Sequence, residues 1–154
     1  MKKQELKFVN KSPNQSPKFA DMGSSGFDVR AWIEENDGKI TLKPLERKLI
    51  HTGLYFDVPE CCEIQVRPRS GLAIKQGISV INTPGTVDAS YTGELGVLII
   101  NLSSEEVTIE NGDRIAQAVL CPVYNGYLTY LESVDEITKI TERGDGAYGH
   151  SGVK

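Results

Sequence analysis

An aspartate and a tyrosine three positions apart, Asp88 and Tyr91, lie in the stretch Asn82-Thr83-Pro84-Gly85-Thr86-Val87-Asp88-Ala89-Ser90-Tyr91-Thr92-Gly93-Glu94. A carboxylate in water is ionised at neutral pH and can orient and deprotonate a water molecule, while an aromatic beside it can pack against a ring. Gly85 and Gly93, near the two ends, allow backbone conformations closed to other residues and let a ligand approach the main chain. The apolar runs on either side (Ile78, Val80, Ile81 before; Leu95, Val97, Leu98, Ile99, Ile100 after) read as strands. The stretch is therefore expected to be a hairpin with Asp88 and Tyr91 on its arms, flanking a small pocket lined by backbone. The same residues would also make an ordinary hairpin with a solvated Asp and a half-buried Tyr.

The remaining groups able to do chemistry sit beside glycines or at element ends. Asp28 lies in Gly26-Phe27-Asp28-Val29, and Gln117 follows the turn Gly112-Asp113-Arg114. Arg69 and Ser70 open the one convincing helix, expected over Arg69–Gly77 with Ser70 as N-cap and Gly77 as C-cap. Free amides and the dipole at a helix start favour anions. The last stretch, Arg143-Gly144-Asp145-Gly146-Ala147-Tyr148-Gly149-His150-Ser151-Gly152, is too glycine-rich to hold a fixed shape alone. It is either a frayed end or a flap in which glycine amides wrap an anion, Arg143 forks onto phosphate oxygens and Tyr148 stacks on a base. The set is rich in phosphate binders with one well-placed carboxylate. It contains no Ser-His-Asp arrangement, no His-Glu-x-x-His zinc site and no Walker-type loop.

The elements that must position these groups read as short strands. Residues 4–10 open with a strand, and Lys11 to Lys18, with Pro13 and Pro17, form a loop. A strand runs up to Ala31, Asn36-Asp37-Gly38 is a turn, and Ile40 to Leu42 is a short strand. Lys48 to Val58 reads as one long strand and Cys62 to Arg67 as a strand of alternating character. Val107 to Glu110 and Ile115 to Leu120 are strands about the Asn111-Gly112-Asp113 turn, and Gly126 to Thr141 is mixed strand and turn. Many short strands, one short helix and no internal repeat predict an all-β sandwich or barrel.

At 154 residues the chain is most simply one domain. Its formal net charge of −4 gives no overall attraction to nucleic acid, so an anionic ligand must be met by local basic groups or a metal. No stretch approaches a membrane span, and the opening Met-Lys-Lys-Gln-Glu lacks the apolar core of a signal peptide. Cys61, Cys62 and Cys121 form neither a disulfide framework nor a zinc spacing, and a reducing cytoplasm is expected.

Five segments, in order, resemble the five motifs of the trimeric dUTPases: Ser25 through Ala31, Pro68 through Ala73, Asn82 through Glu94, Gly112 through Gln117, and Arg143 through Gly152. The resemblance implies a dUTPase-like β-barrel or jelly roll over residues 1–142, with 143–154 a flexible tail that closes over the active site of another subunit. It implies hydrolysis of dUTP to dUMP and pyrophosphate, which limits uracil in DNA and supplies dUMP for thymidylate synthesis. Asp88 would be the general base for water attack on the α-phosphorus, and Tyr91 would pack under the deoxyribose and reject UTP. Main-chain groups around Asn82, Gly85, Thr86 and Val87 would read uracil. Arg69, Ser70, Gly71 and Gln117 would hold phosphates, and Arg143, Gly146, Ala147, Tyr148 and Gly149 would close from the tail. Mg²⁺ would be held by the triphosphate and water without direct protein ligands, Asp28 acting indirectly. The implied partners are dUTP and two further copies of the chain, with no nucleic acid and no membrane, in the cytoplasm or, for a viral protein, the host cytoplasm or nucleus.

The chain departs from the family pattern at several positions. Ser90 stands where an acidic residue is usual, Thr92 where a basic one is common, and Phe27 replaces a Tyr. Tyr148 replaces a Phe but keeps the stacking plane; Ala147 replaces a Gly and His150 a Ser. His51 reads as structural. Two alternatives are weighed: a dCTP deaminase of the same fold, which would lack this tail and for which Glu94 is the nearby candidate catalytic carboxylate, and a dUTP-sensing regulatory binding protein; the Asp88–Tyr91 spacing and the complete fifth motif argue against the deaminase.

Overall fold

Turn residues cut this chain into strands of three to nine residues, too short for any to stand alone, so each is stabilised by pairing and by a shared core. The computed structural model describes residues 4–124, 126 and 128–137. The strands in chain order are β1 (Lys7–Asn10), β2 (Phe27–Arg30), β3 (Lys39–Leu42), β4 (Arg47–Ile50), β5 (Leu54–Asp57) and β6 (Cys62–Arg67). After α1 (Ser70–Gln76), the one α-helix among the described residues, come β7 (Ile78–Val80), β8 (Gly85–Asp88), β9 (Val97–Asn101), β10 (Val107–Glu110) and β11 (Arg114–Pro122). The chain divides after Tyr124 into two compact units. All the described strands lie in the first, and a 3-10 turn at Val134–Glu136 lies in the second. Among the described residues no helix is long and apolar enough to cross a membrane.

The strands pair in four sheets, ordered β1-β5, β10-β3, β2-β11-β6-β8 and β4-β9-β7. Every pairing is antiparallel. Phe27, Val29, Ile64, Val66, Ala116 and Ala118 of the four-stranded sheet join Ile50, Ile78, Val80, Val97 and Ile99 of the three-stranded sheet in one buried cluster. The strict buried-then-half-buried alternation of β6 shows why: its even positions enter the core and Glu63, Gln65 and Arg67 stay on the outer face. The expected fold of short strands with one short helix is the fold that forms, with the sheets arranged around a common core and not joined into one closed barrel among the described residues.

Four local expectations are corrected. The single strand over Lys48 to Val58 is two strands, because Gly53 adopts a φ of 69° between them and sends β4 to β9 and β5 to β1. The stretch between β7 and β9 is not a simple hairpin, since it contains β8, which joins the other sheet against β6. Ser70 is not the N-cap of α1; that position is Arg69, without a side-chain capping bond, whereas Gly77 is the left-handed C-cap at φ 66°. Residues 126 and 128–137 contain no strand.

Candidate active site

The four-stranded sheet collects the predicted phosphate binders at one end. Gln117 on β11 stands opposite Asp28 on β2 and, on its other side, opposite Arg67 on β6. Arg69, just past the end of β6, donates from Nε to Asp28 Oδ1 at 2.8 Å, and Arg114 Nη1 reaches Asp28 Oδ2 at 3.2 Å. Two guanidinium groups thus share one carboxylate, which leaves net positive charge for an anion. Gly26 sits beneath this cluster, where a Cβ would fall 2.8 Å from the Gln117 Cγ, so the close approach of β2 to β11 requires glycine. Arg114 also lines two shallow pockets of about 190 and about 250 Å³, the first shared with Arg69 and the second with Asp28. Ser70 and Gly71 are exposed at the start of α1, and Gly71 has open space where a Cβ would lie.

Asp88 lies at the other end of the same sheet. It is the last residue of β8, exposed and in register with Glu63. Gly85, buried, begins β8 against Val66, and the Asn82 side chain approaches it so closely that a Cβ would meet Asn82 Nδ2 at 3.2 Å. Thr86 is exposed and Val87 packs against the core, so Thr86 and Asp88 share the outer face. After Asp88 the chain turns, with the Tyr91 amide donating to the Asp88 carbonyl at 3.0 Å. Tyr91, 46% exposed, folds back over Gly93 and donates its hydroxyl to the Glu94 carbonyl at 2.9 Å.

Asp88 pairs with Glu63 and Gln117 with Arg67, four residues along β6 and on opposite sides of it. At ~3.3 Å per residue and ~4.8 Å per strand, the two groups stand roughly 16 Å apart within one chain. Sequence proximity among motifs did not disclose this separation. Between the ends, Gln65 donates to Glu63 at 2.7 Å and accepts from Arg67 at 2.7 Å, so the outer face is a continuous polar file.

Glu94 is not poised for chemistry. Its Oε1 accepts the amides of Thr52 and Gly53 at 3.0 and 2.8 Å, and its Oε2 faces His51 Nδ1 at 3.1 Å. Partial burial pushes the Glu94 pKa up, but the Gly53 amide, the His51 ring and the Thr52 amide together outweigh it and hold the carboxyl below its ordinary range. His51 is therefore one side of a clamp, in keeping with its structural reading. A pocket of about 430 Å³ bounded by Trp32, Leu49, His51 and Glu94 contains none of the predicted ligand-binding residues. Arg114, the second arginine on Asp28, was given no individual role by sequence reasoning, although its place after a Gly-Asp turn at a strand start is the signal. Arg143, Gly146, Ala147, Tyr148, Gly149 and His150 lie outside the described residues.

The antiparallel β fold is shared with known proteins. The family model described as dUTPase matches residues 13–152, and the chain belongs to that family. It is 52% identical to the deoxyuridine 5'-triphosphate nucleotidohydrolase of Finegoldia magna, covering 96% of this chain and 99% of that protein. It is 50% identical to the protein of the same name from Fusobacterium nucleatum, with 99% of each covered. Among solved structures, the Staphylococcus bacteriophage 80alpha dUTPase with dUPNHPP superposes with a TM-score of 0.83 at 26% identity, covering 98% of this chain and 100% of that one. A mutant dUTPase from phage phi11 of S. aureus, described with a structural Mg(II) ion, has a TM-score of 0.73 at 24% identity, covering 84% of this chain and 98% of that one.

Proposed function

We propose that this chain hydrolyses dUTP to dUMP and pyrophosphate, with Asp88 as general base. The observation that carries the reading is the exposed Asp88 at the end of β8 with Tyr91 held one turn away by the bond from its amide to the Asp88 carbonyl. In the reaction Asp88 takes a proton from water as the water oxygen bonds to the α-phosphorus. The bond to the bridging oxygen breaks, and pyrophosphate leaves with the electron pair. Tyr91 packs under the deoxyribose, where a 2′-hydroxyl has no room. Backbone groups about Asn82, Gly85, Thr86 and Val87 read the uracil edge, a recognition that rejects bases lacking the matching polar pattern. Arg69, Ser70, Gly71 and Gln117 hold phosphates. Arg143, Gly146, Ala147, Tyr148 and Gly149 are assigned to closure over the site by motif resemblance alone.

Magnesium, when bound with the triphosphate, neutralises charge that builds on the leaving pyrophosphate. The donor set suits a metal carried by the substrate: both Asp28 oxygens are engaged by Arg69 and Arg114, so Asp28 would act through those arginines and through water. Among the described residues no cluster of three or more His, Cys, Asp or Glu could hold a metal by itself.

We also propose a homotrimer whose sites lie between subunits. The roughly 16 Å between Asp88 and Gln117 supports this, because an α-phosphate within reach of the base cannot at the same time be centred on the phosphate cluster of the same chain. The outer face of the three-stranded sheet offers association surface, with Leu49, Ile81 and Leu98 exposed and cross-paired. The test is pyrophosphate release with Mg²⁺ from dUTP, dTTP, dCTP and UTP in parallel. Release from dUTP with little from the others supports the reading; deamination of dCTP, or dUTP binding without release, overturns it. The engagement of Glu94 by two amides and His51 disfavours the deaminase.

A further inference from the structure

Tyr91 is held from below by groups that no motif role explains. A Cβ on Gly93 would fall 2.5 Å from the Tyr91 hydroxyl oxygen and 2.6 Å from Cζ, so the ring lies where only glycine leaves room. Its hydroxyl ends on the carbonyl of Glu94. That carbonyl is itself held, because residues 94 and 95 are stitched to residues 51–54. The Glu94 carboxylate seats on the Thr52 and Gly53 amides and against His51. The buried Thr52 hydroxyl donates to the Leu95 carbonyl, and the Leu95 amide donates to the Leu54 carbonyl at 2.8 Å. The anchoring point is rigid in turn: Gly53 packs against Ser12 and Trp32 with no space for a side chain, and its carbonyl accepts the Lys11 amide.

We propose that Gly93 and the Glu94 carboxylate are positioning residues that set the height and tilt of the Tyr91 ring, and with it the discrimination between deoxyribose and ribose. The inference rests on the reading of Tyr91 as the sugar platform. A ring anchored through its hydroxyl to a clamped carbonyl cannot sink when a 2′-hydroxyl presses on it. Released from the carbonyl, or lifted by a Cβ beneath it, it can shift and admit the ribonucleotide. The positioning needs an acceptor at Oε1 for both amides and does not need a negative charge, so glutamine should serve in place of glutamate.

The test compares the full-length chain with Gly93→Ala, Glu94→Ala and Glu94→Gln, measuring kcat/KM for dUTP and for UTP. One 3-fluorotyrosine resonance, assigned to Tyr91 by its loss in Tyr91→Phe, is followed in parallel. Gly93→Ala and Glu94→Ala are expected to lower the dUTP-to-UTP ratio by about tenfold or more, the order by which a pocket discriminates one added group, and to move the Tyr91 resonance. Glu94→Gln should restore both. A ratio unchanged in Gly93→Ala and Glu94→Ala, even with a lowered melting temperature, overturns the proposal, as does a lowered ratio with an unmoved Tyr91 resonance. If the parent chain releases no pyrophosphate from dUTP, the functional reading fails, and the resonance alone decides whether Gly93 and Glu94 position Tyr91.

Discussion

At the scale of single residues, the proposed roles separate groups that would touch the reaction from groups that hold others in place. Asp88 is exposed and terminal on its strand, with no core contact, so its replacement by asparagine changes the chemistry and little else. Asp88→Asn is expected to lower kcat by about 10²–10⁴-fold, the usual worth of a general base, with the melting temperature within a degree or two of the parent. Steady-state kinetics beside a thermal melt checks this. Asp28 is different: it is half-buried and grips Arg69 and Arg114, so it shapes the cationic cluster. Asp28, Asp88 and Tyr91 stand out in the sequence because each lies within three residues of a glycine in a segment that resembles a family motif. The grip of Arg114 on Asp28 was not, because it joins residues on β2 and β11 that are far apart in the chain.

At the scale of elements, two expectations about α1 and the β4–β5 junction change what mutations should do. Since Arg69 and not Ser70 occupies the N-cap, Ser70→Ala should spare stability, where loss of a true capping side chain would cost about 1 kcal/mol. Its effect should fall on KM for dUTP, and denaturant unfolding beside kinetics separates the two. Gly53 interrupts what reads locally as one strand from Lys48 to Val58, and its φ of 69° combines with a Cβ position 2.7 Å from the Ser12 amide. Gly53→Ala should therefore destabilise, and by more than the ~1 kcal/mol by which alanine can stabilise at a compatible site, read as a fall in the denaturation midpoint. A lone glycine within an apolar run is the signal that marks this break. The strand pattern outweighs it locally, because periodicity carries no information about which sheet each half joins.

At the scale of the molecule, the separated ends of the four-stranded sheet have a consequence for mixtures. If each site combines Asp88 of one subunit with Arg69 of another, inactive Asp88→Asn and Arg69→Ala chains should complement each other. Co-refolded in equal amounts as random trimers, they should regain about a quarter of parental activity, since half the sites receive an intact Asp88 and half of those an intact Arg69. No recovery would mean that each chain builds its own site. The Glu94 clamp ties stability to acid. Its carboxyl titrates below the ordinary value of 4.5 in the folded protein, so the clamp contributes fully above that pH and is lost as pH falls through the lower folded-state value. Melting temperature followed from pH 7 downward should drop more steeply below that point in the parent than in Glu94→Gln.

What the amino-acid order alone determined was local: short strands cut by Gly, Pro and Asn-Gly turns, one helix ending at Gly77, and five motifs in order that mark the family. Those follow from backbone sterics and side-chain periodicity, which act over a few residues. The tertiary structure decided the rest. It sent β8 to β6 instead of into a hairpin, set Asp88 and Gln117 at opposite ends of one sheet, and turned Glu94 from a candidate acid into a clamp beneath Tyr91. These are outcomes of pairing between distant strands, selected by which faces can be buried together, and no local pattern states them.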